Sequence, residues 1–173
     1  MGYLGEQLDL WLAAHHIGSL WYGIGKPDEP EWDGLDFVIM LAVHKVNDDA
    51  KFRQDLFRAK RKPLHEVWSG DGLGAAEIAR FAPSACNSQP WFTENDGGAL
   101  NVYRCRKPGR VGIMTPSAAA YYNRIDMGIY LCFLELCLCK NGVAFARTLC
   151  PDDGAGERTR VAVYHIAPKE GTI

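Results

Sequence analysis

Several common chemical signatures are missing from this sequence. Six cysteines occur, Cys86, Cys105, Cys132, Cys137, Cys139 and Cys150, and no two of them form a C-x-x-C pair. A structural zinc site therefore lacks its usual spacing. There is no H-E-x-x-H and no G-x-S-x-G, so neither a zinc-protease helix nor a hydrolase nucleophile elbow has support. Basic residues are not in excess: 19 Lys and Arg stand against 21 Asp and Glu, for a net charge of −2. That balance disfavours a general nucleic-acid binder. The most apolar run, MGIYLCFLELCLC (Met127–Cys139), contains Glu135 and falls short of the roughly 20 residues that a membrane helix needs. The first residues, MGYLGEQLDLWLAAHH, carry no basic n-region, so they do not read as a signal peptide.

What is present fits one globular α+β chain. Of 173 residues, 47% are hydrophobic and 23% charged, enough to build a core. Leu4, Leu8, Trp11 and Leu12 recur at helical spacing, which predicts a helix over 3–17 with Gly18 at its left-handed cap. DFVIMLAVHKV (Asp36–Val46) reads as a buried strand. Residues 49–60 are charged, with Phe52, Leu56 and Phe57 as a thin apolar edge. LGAAEIARFA predicts a helix ending before Pro83, and ALNVYRCR (Ala99–Arg106) a strand. Residues 116–140 predict a long helix, buried on nearly all sides in a core or a subunit interface. VAFARTL and RVAVYHIA read as paired strands. SGDG (Ser69–Gly72) is the expected boundary between a first half, 1–68, and a second half, 69–173. Three cysteines on one apolar helix suit buried, reduced thiols and a cytoplasmic location.

MGYLGEQLDLWLAAHHIG and MGIYLCFLELCLCKNG both begin Met-Gly and run as apolar helices. They are either an internal repeat or two buried helices alike by chance. GDGLGAAEIA fits a loose dinucleotide fingerprint, but the basic, proline-interrupted RKPLHEVWS precedes it where a buried strand is required. A Rossmann reading is therefore set aside.

The informative stretch is RFAPSACNSQPWF (Arg80–Phe92). Ser84, Asn87, Ser88 and Gln89 place uncharged donors and acceptors on a loop stiffened by Pro83 and Pro90. Such groups suit a planar heterocycle with imide edges; a capped helix end with a structural turn is the plainer reading. Cys86, inside the same loop, reads as a passive small residue. Two other stretches stand out. HHIGSLWYGIG (His15–Gly25) reads as a helix end followed by small and aromatic residues. AKRKPLHEVW (Ala59–Trp68) could hold a phosphate or be a solvated basic run.

P-S-x-x-N-x-Q-P-W resembles the flavin-contacting loop of the FMN-dependent nitroreductase family. HHIGSLWYGIG is similar to that family's GLG-[ST]-x-W-x-G turn, and AKRKPLHEVW to its basic RKPLEEVV segment, with His65 where Glu is commoner. The order of motifs resembles the putative TM nitroreductase branch, whose name implies no membrane span. The resemblance implies an α+β fold with a central, mostly antiparallel sheet flanked by helices and built as two fused half-repeats. It implies FMN as cofactor, NAD(P)H as hydride donor, a nitroaromatic or quinone-like acceptor, and a homodimer, with no nucleic acid or membrane partner. Carried over by position, Pro83, Ser84, Asn87 and Gln89 would face the ring, and Trp21, Tyr22 and Gly23 would form a wall. Arg61 and Lys62 would meet the phosphate. Family members also carry an R-R-S-x-R helix before the segment that begins here, so the chain is expected to be a C-terminal portion. The alternative is a non-catalytic remnant that dimerises through the 127–139 helix.

Overall fold

The structure is a computed structural model and describes residues 1–52, 59–106, 112–154 and 156–167. Leu56 and Phe57, expected on an apolar edge, lie outside the described residues. The elements run α1 (Gly2–Ala14), β1 (Ile17–Tyr22), β2 (Glu31–Trp32), β3 (Leu35–Asp36), β4 (Met40–Lys45), α2 (Leu64–Val67), β5 (Trp68–Ser69), α3 (Ala76–Ala79), β6 (Trp91–Asn95), β7 (Ala99–Cys105), α4 (Pro116–Lys140), β8 (Phe145–Leu149) and β9 (Arg158–Ile166).

The main sheet has five strands in the order β5-β6-β7-β9-β8. Only β5 and β6 pair in parallel; the other neighbours are antiparallel. The α+β expectation with a mostly antiparallel sheet is borne out. α4 covers this sheet. Thr115 caps it by accepting from the Ala118 N–H at 3.2 Å, and Pro116 occupies the first turn, where a missing N–H costs nothing. At the other end Gly142 takes φ +67°, the left-handed stop that glycine accepts. Trp91 stacks on Tyr130 at 4.8 Å, and the Tyr130 hydroxyl pairs with Thr93 Oγ1 at 2.7 Å. Leu100, Val102, Leu134, Leu138, Ala162 and Tyr164 complete a dry core between helix and sheet. The Met127–Cys139 run is thus core of its own chain: Met127, Ile129, Tyr130, Leu131, Cys132, Leu134, Cys137 and Leu138 are all buried. Leu136 and Cys139 of the same run stay exposed.

α1 lies across α4 at two glycines. A Cβ on Gly2 would collide with the Ile125 carbonyl, and one on Gly128 would stand 2.6 Å from the Tyr3 nitrogen. Only glycine at both positions lets the backbones approach this closely. These are the glycines of the two Met-Gly starts noted in the sequence. Tyr3 also donates from its hydroxyl to Glu135 at 2.6 Å, and Glu135 accepts from Tyr164 and Arg147 as well.

Several elements differ from expectation. α1 stops at Ala14, and the left-handed residue at its end is His16 (φ 58°), not Gly18. Gly18 lies inside β1, so Gly18–Tyr22 of the GSLWYG stretch is strand, paired antiparallel with β4 in a separate two-stranded sheet, and Gly23 begins the turn that follows. Of the run 36–46, Asp36 ends β3 and Met40–Lys45 form β4; β4 is largely exposed, because among the described residues it pairs on one edge, with β1, and no second layer covers it. The helix expected over 73–82 shrinks to Ala76–Ala79, since Leu73 and Gly74 are left-handed (φ 51° and 68°). β6 was not anticipated: its five residues follow Pro90 directly and include Glu94. Cysteines 86, 105, 132, 137, 139 and 150 are all free thiols. Among the described residues no helix is long and apolar enough to cross a membrane, and no group of His, Cys, Asp and Glu could hold a metal.

Candidate functional site

The loop after α3 carries the strongest motif, and its backbone is strained. Cys86, Asn87 and Gln89 all take positive φ (49°, 55° and 48°) with no glycine among them. Non-glycine residues rarely adopt this region, each at an energetic cost, and such residues collect at functional sites. Local bonds fold the loop on itself: Ser84 Oγ accepts from the Gln89 N–H at 3.0 Å, and the Asn87 N–H donates to the Ser84 carbonyl at 2.9 Å.

Side chains hold the loop from two sides. On one, Arg61 Nη1 donates to Asn87 Oδ1 at 2.9 Å and Arg61 Nη2 to the Phe81 carbonyl at 3.1 Å. The Lys62 N–H donates to Gln89 Oε1 at 2.8 Å, and Lys62 Nζ to the Gln89 carbonyl at 3.0 Å. Burial pushes the Lys62 ammonium pKa down, with Cys105 and Glu66 opposing. On the other side stands α4. The Ala85 N–H donates to Asp126 Oδ1 at 2.9 Å, and Ser88 Oγ lies 3.1 Å from Asn123 Oδ1 and 3.4 Å from Asp126 Oδ2. Asp126 is 3% exposed. Burial pushes its carboxyl up to about 7, while the bonds from Ala85 and Ser88 pull the other way.

Beside the loop opens a cavity of about 360 Å³. Pro83, Ser84, Ala85 and Cys86 form one wall, and Trp21, Tyr22, Gly23 and Ile24 another. Tyr122, Ile125, Asp126 and Ile129 of α4 form its floor, at the i, i+3, i+4, i+7 spacing of one helical stripe. Ile39, Ile113 and Met114 complete it. The β1 wall is fixed by polar bonds. Trp21 Nε1 donates to Asp9 Oδ2 at 3.1 Å, Ser19 donates to the same carboxylate, and the Tyr122 hydroxyl donates to the Gly23 carbonyl. Next to Asp9, Glu6 is 1% exposed with one oxygen lacking a hydrogen-bond partner among the described residues. Burial first, then the Asp9 charge, push Glu6 up to about 8, against a bond from Trp21.

Residues 1–138 match the family model described as "Putative TM nitroreductase". The chain belongs to this family. A solved structure from Thermotoga maritima MSB8, a crystal structure described as a putative nitroreductase, superposes with a TM-score of 0.63 at 20% identity. The match covers 96% of this chain and 64% of that one, so this chain spans under two thirds of that relative's length, and the similarity concerns the fold. No curated protein matches the chain.

Within this nitroreductase-family fold the residues singled out by sequence separate into two sets. Pro83, Ser84, Trp21, Tyr22 and Gly23 line the cavity. Asn87, Gln89, Arg61 and Lys62 are absent from its lining and meet one another behind the loop. Sequence reading missed the α4 floor. The available signal was Asp126 itself, a carboxylate directly before the apolar run MGIYL.

Proposed function

We propose that the cavity binds FMN and that the protein is an FMN-dependent NAD(P)H oxidoreductase of nitroreductase type, acting on a nitroaromatic or quinone-like acceptor. The observation that carries this reading is the meeting of the PSACNSQPW loop with the Trp21–Gly23 strand across one mostly apolar cavity, formed by residues of the first half (1–68) and the second (69–173) together. The residues present fit a planar ring. The walls are aromatic and aliphatic, Ser84 supplies a hydroxyl beside the main chain of residues 83–86, and the volume is that of a small-ligand site.

Bound flavin would supply hydride chemistry that no protein side chain performs. The protein's own part is binding and exclusion. Trp21, Tyr22, Ile125 and Ile129 would sandwich the ring and keep water out, Pro83 and Ser84 would orient its polar edge, and Gly23 would present main chain. Asn87 and Gln89 would act by shaping the loop. Arg61 and Lys62 would serve the phosphate only by exchanging the bonds they make to Asn87, Phe81 and Gln89. The test is to purify the protein, add FMN, remove excess and record the bound spectrum near the flavin bands at about 370 and 450 nm. Retained, stoichiometric flavin supports the reading; a colourless protein overturns it.

A second reading rests on the exposed apolar side chains Leu4, Leu8, Trp11, Leu20 and Val43: a fold that works by assembling with a partner rather than by catalysis. Light scattering and the flavin spectrum together separate the two: a flavin-free assembly supports this reading over the first, and a flavin-free monomer removes both.

A further inference from the structure

We propose that Asp126 is a positioning residue for this cavity: it anchors the strained 84–89 loop to α4 and so sets the wall against which a planar ligand binds. The proposal rests in part on the FMN reading, and the test below separates the two.

The geometry makes Asp126 the counterpart of the basic pair. Arg61 and Lys62 hold the Asn87 and Gln89 side of the loop. Asp126 holds the Ala85 and Ser88 side, with one oxygen on a backbone N–H and the other facing a hydroxyl that is fully buried. Between these two attachments the chain makes its left-handed steps at Cys86 and Asn87. A loop in sparsely populated conformations persists only where its surroundings over-determine it. Ser84, Ala85 and Cys86, which the anchor holds, form the loop's wall of the cavity together with Pro83.

The anchor is charge-dependent. Hydrogen bonds to an ionised acceptor are about twice as strong as those to a neutral one. The bonds from Ala85 and Ser88 lower the Asp126 pKa against a larger effect of burial, and the balance lies near 7. By linkage, a bond that favours ionisation is itself favoured by ionisation. The loop is therefore held most tightly above neutral pH and loosens on acidification. The other titratable groups on the cavity wall are Tyr22 from β1, Cys86 from the loop and Tyr122 from α4 itself. From α1, Glu6 acts on Cys132 and meets Trp21 and Asp9.

The experiment measures FMN affinity by fluorescence quenching at about pH 8 and about pH 6, together with amide-exchange protection at Ala85 and Gln89 in the flavin-free protein, corrected for intrinsic rates. For the wild type the expected result is an affinity about tenfold weaker at the lower pH, matching the loss of one charge-assisted bond. Asp126→Asn keeps an oxygen acceptor for Ala85 but no charge; it is expected to bind about tenfold more weakly at the higher pH and to lose the pH dependence. Asp126→Leu removes the acceptor and is expected to lose protection at both amides while melting cooperatively. Wild-type affinity and pH slope in Asp126→Asn would overturn the proposal. So would unchanged Ala85 protection in Asp126→Leu. If no form binds FMN, the cofactor reading fails alone, and amide protection still decides the role of Asp126.

Discussion

The region from Leu64 to Ile166 and the region from Gly2 to Lys45 are built differently. In the first, five strands and one long helix close on each other around a core that includes Trp68, Trp91, Leu100, Tyr130, Leu134 and Tyr164. In the second, one helix and a two-stranded sheet expose Leu4, Leu8, Trp11, Leu20 and Val43, and Leu12 is the one buried hydrophobic side chain among its described residues. The first is held by packing. The second is joined to the first by α1 packing on α4 at the Gly2–Gly128 crossing, by Tyr3, Trp21, Val38 and Ile39 against the core, and by the bonds of Tyr3 to Glu135, Tyr121 to Val38 and Tyr122 to Gly23. The cavity lies where they meet, so one of its walls belongs to the closed region and the other to the more exposed one. Binding sites are commonly completed by elements drawn from the less stable part of a fold.

Substitutions in the closed region should cost most. Tyr130→Ala removes the Trp91 stack and the Thr93 bond at a fully buried position, and we expect a loss of about 4 kcal/mol, read as a lower urea midpoint. A smaller loss than that of a surface change would break the contrast.

Next comes pH. The folded pKa values of Glu6 and Asp126 are raised from 4.5 to about 8 and from 3.8 to about 7. A carboxyl with a raised folded pKa contributes its stability below the unfolded value and loses it as pH rises through the folded one. Stability should thus fall between about pH 4 and pH 8, each group weighing on the order of 4 kcal/mol. Glu6→Gln should flatten the upper part of that slope, as seen in urea midpoints across the range. Asp126 faces opposed demands, because ionisation costs the fold while tightening the loop.

Gly128→Ala should be milder and more local. In an open helix the change would stabilise by about 1 kcal/mol; here the new methyl meets the Tyr3 nitrogen, and a net loss of about 2 kcal/mol is expected. Amide exchange should rise across 2–45 while 91–105 and 158–166 stay protected. Tyr122→Phe, which releases the Gly23 carbonyl, should cost about 1 kcal/mol and raise exchange in β1 alone. Val43→Thr, on an exposed strand face, should stay within about 0.5 kcal/mol.

Legibility from sequence follows the same division. β7, β8 and β9 were readable from short runs rich in β-branched and aromatic residues, and α4 from an apolar run longer than a strand. β1 and β4 misled: an apolar run signals burial only where a second layer exists, and among the described residues β4 has none. The cavity-facing Pro83 and Ser84 and the Trp21–Gly23 wall were legible through motif resemblance. The turn of Asn87 and Gln89 toward Arg61 and Lys62 was not, because three left-handed residues without glycine leave no trace in composition. Asp126 stayed hidden because its partners, Ala85 and Ser88, lie some forty residues away in the chain.

The most direct test of the site is an FMN titration of the wild type beside Ala85→Phe, which places a ring in the cavity without removing the Ala85 N–H. The expected result is saturable one-to-one binding by the wild type, and loss of binding by the variant with an unchanged melting temperature. Failure of the wild type to bind, or undiminished binding by Ala85→Phe, would contradict the assignment of this cavity to the flavin.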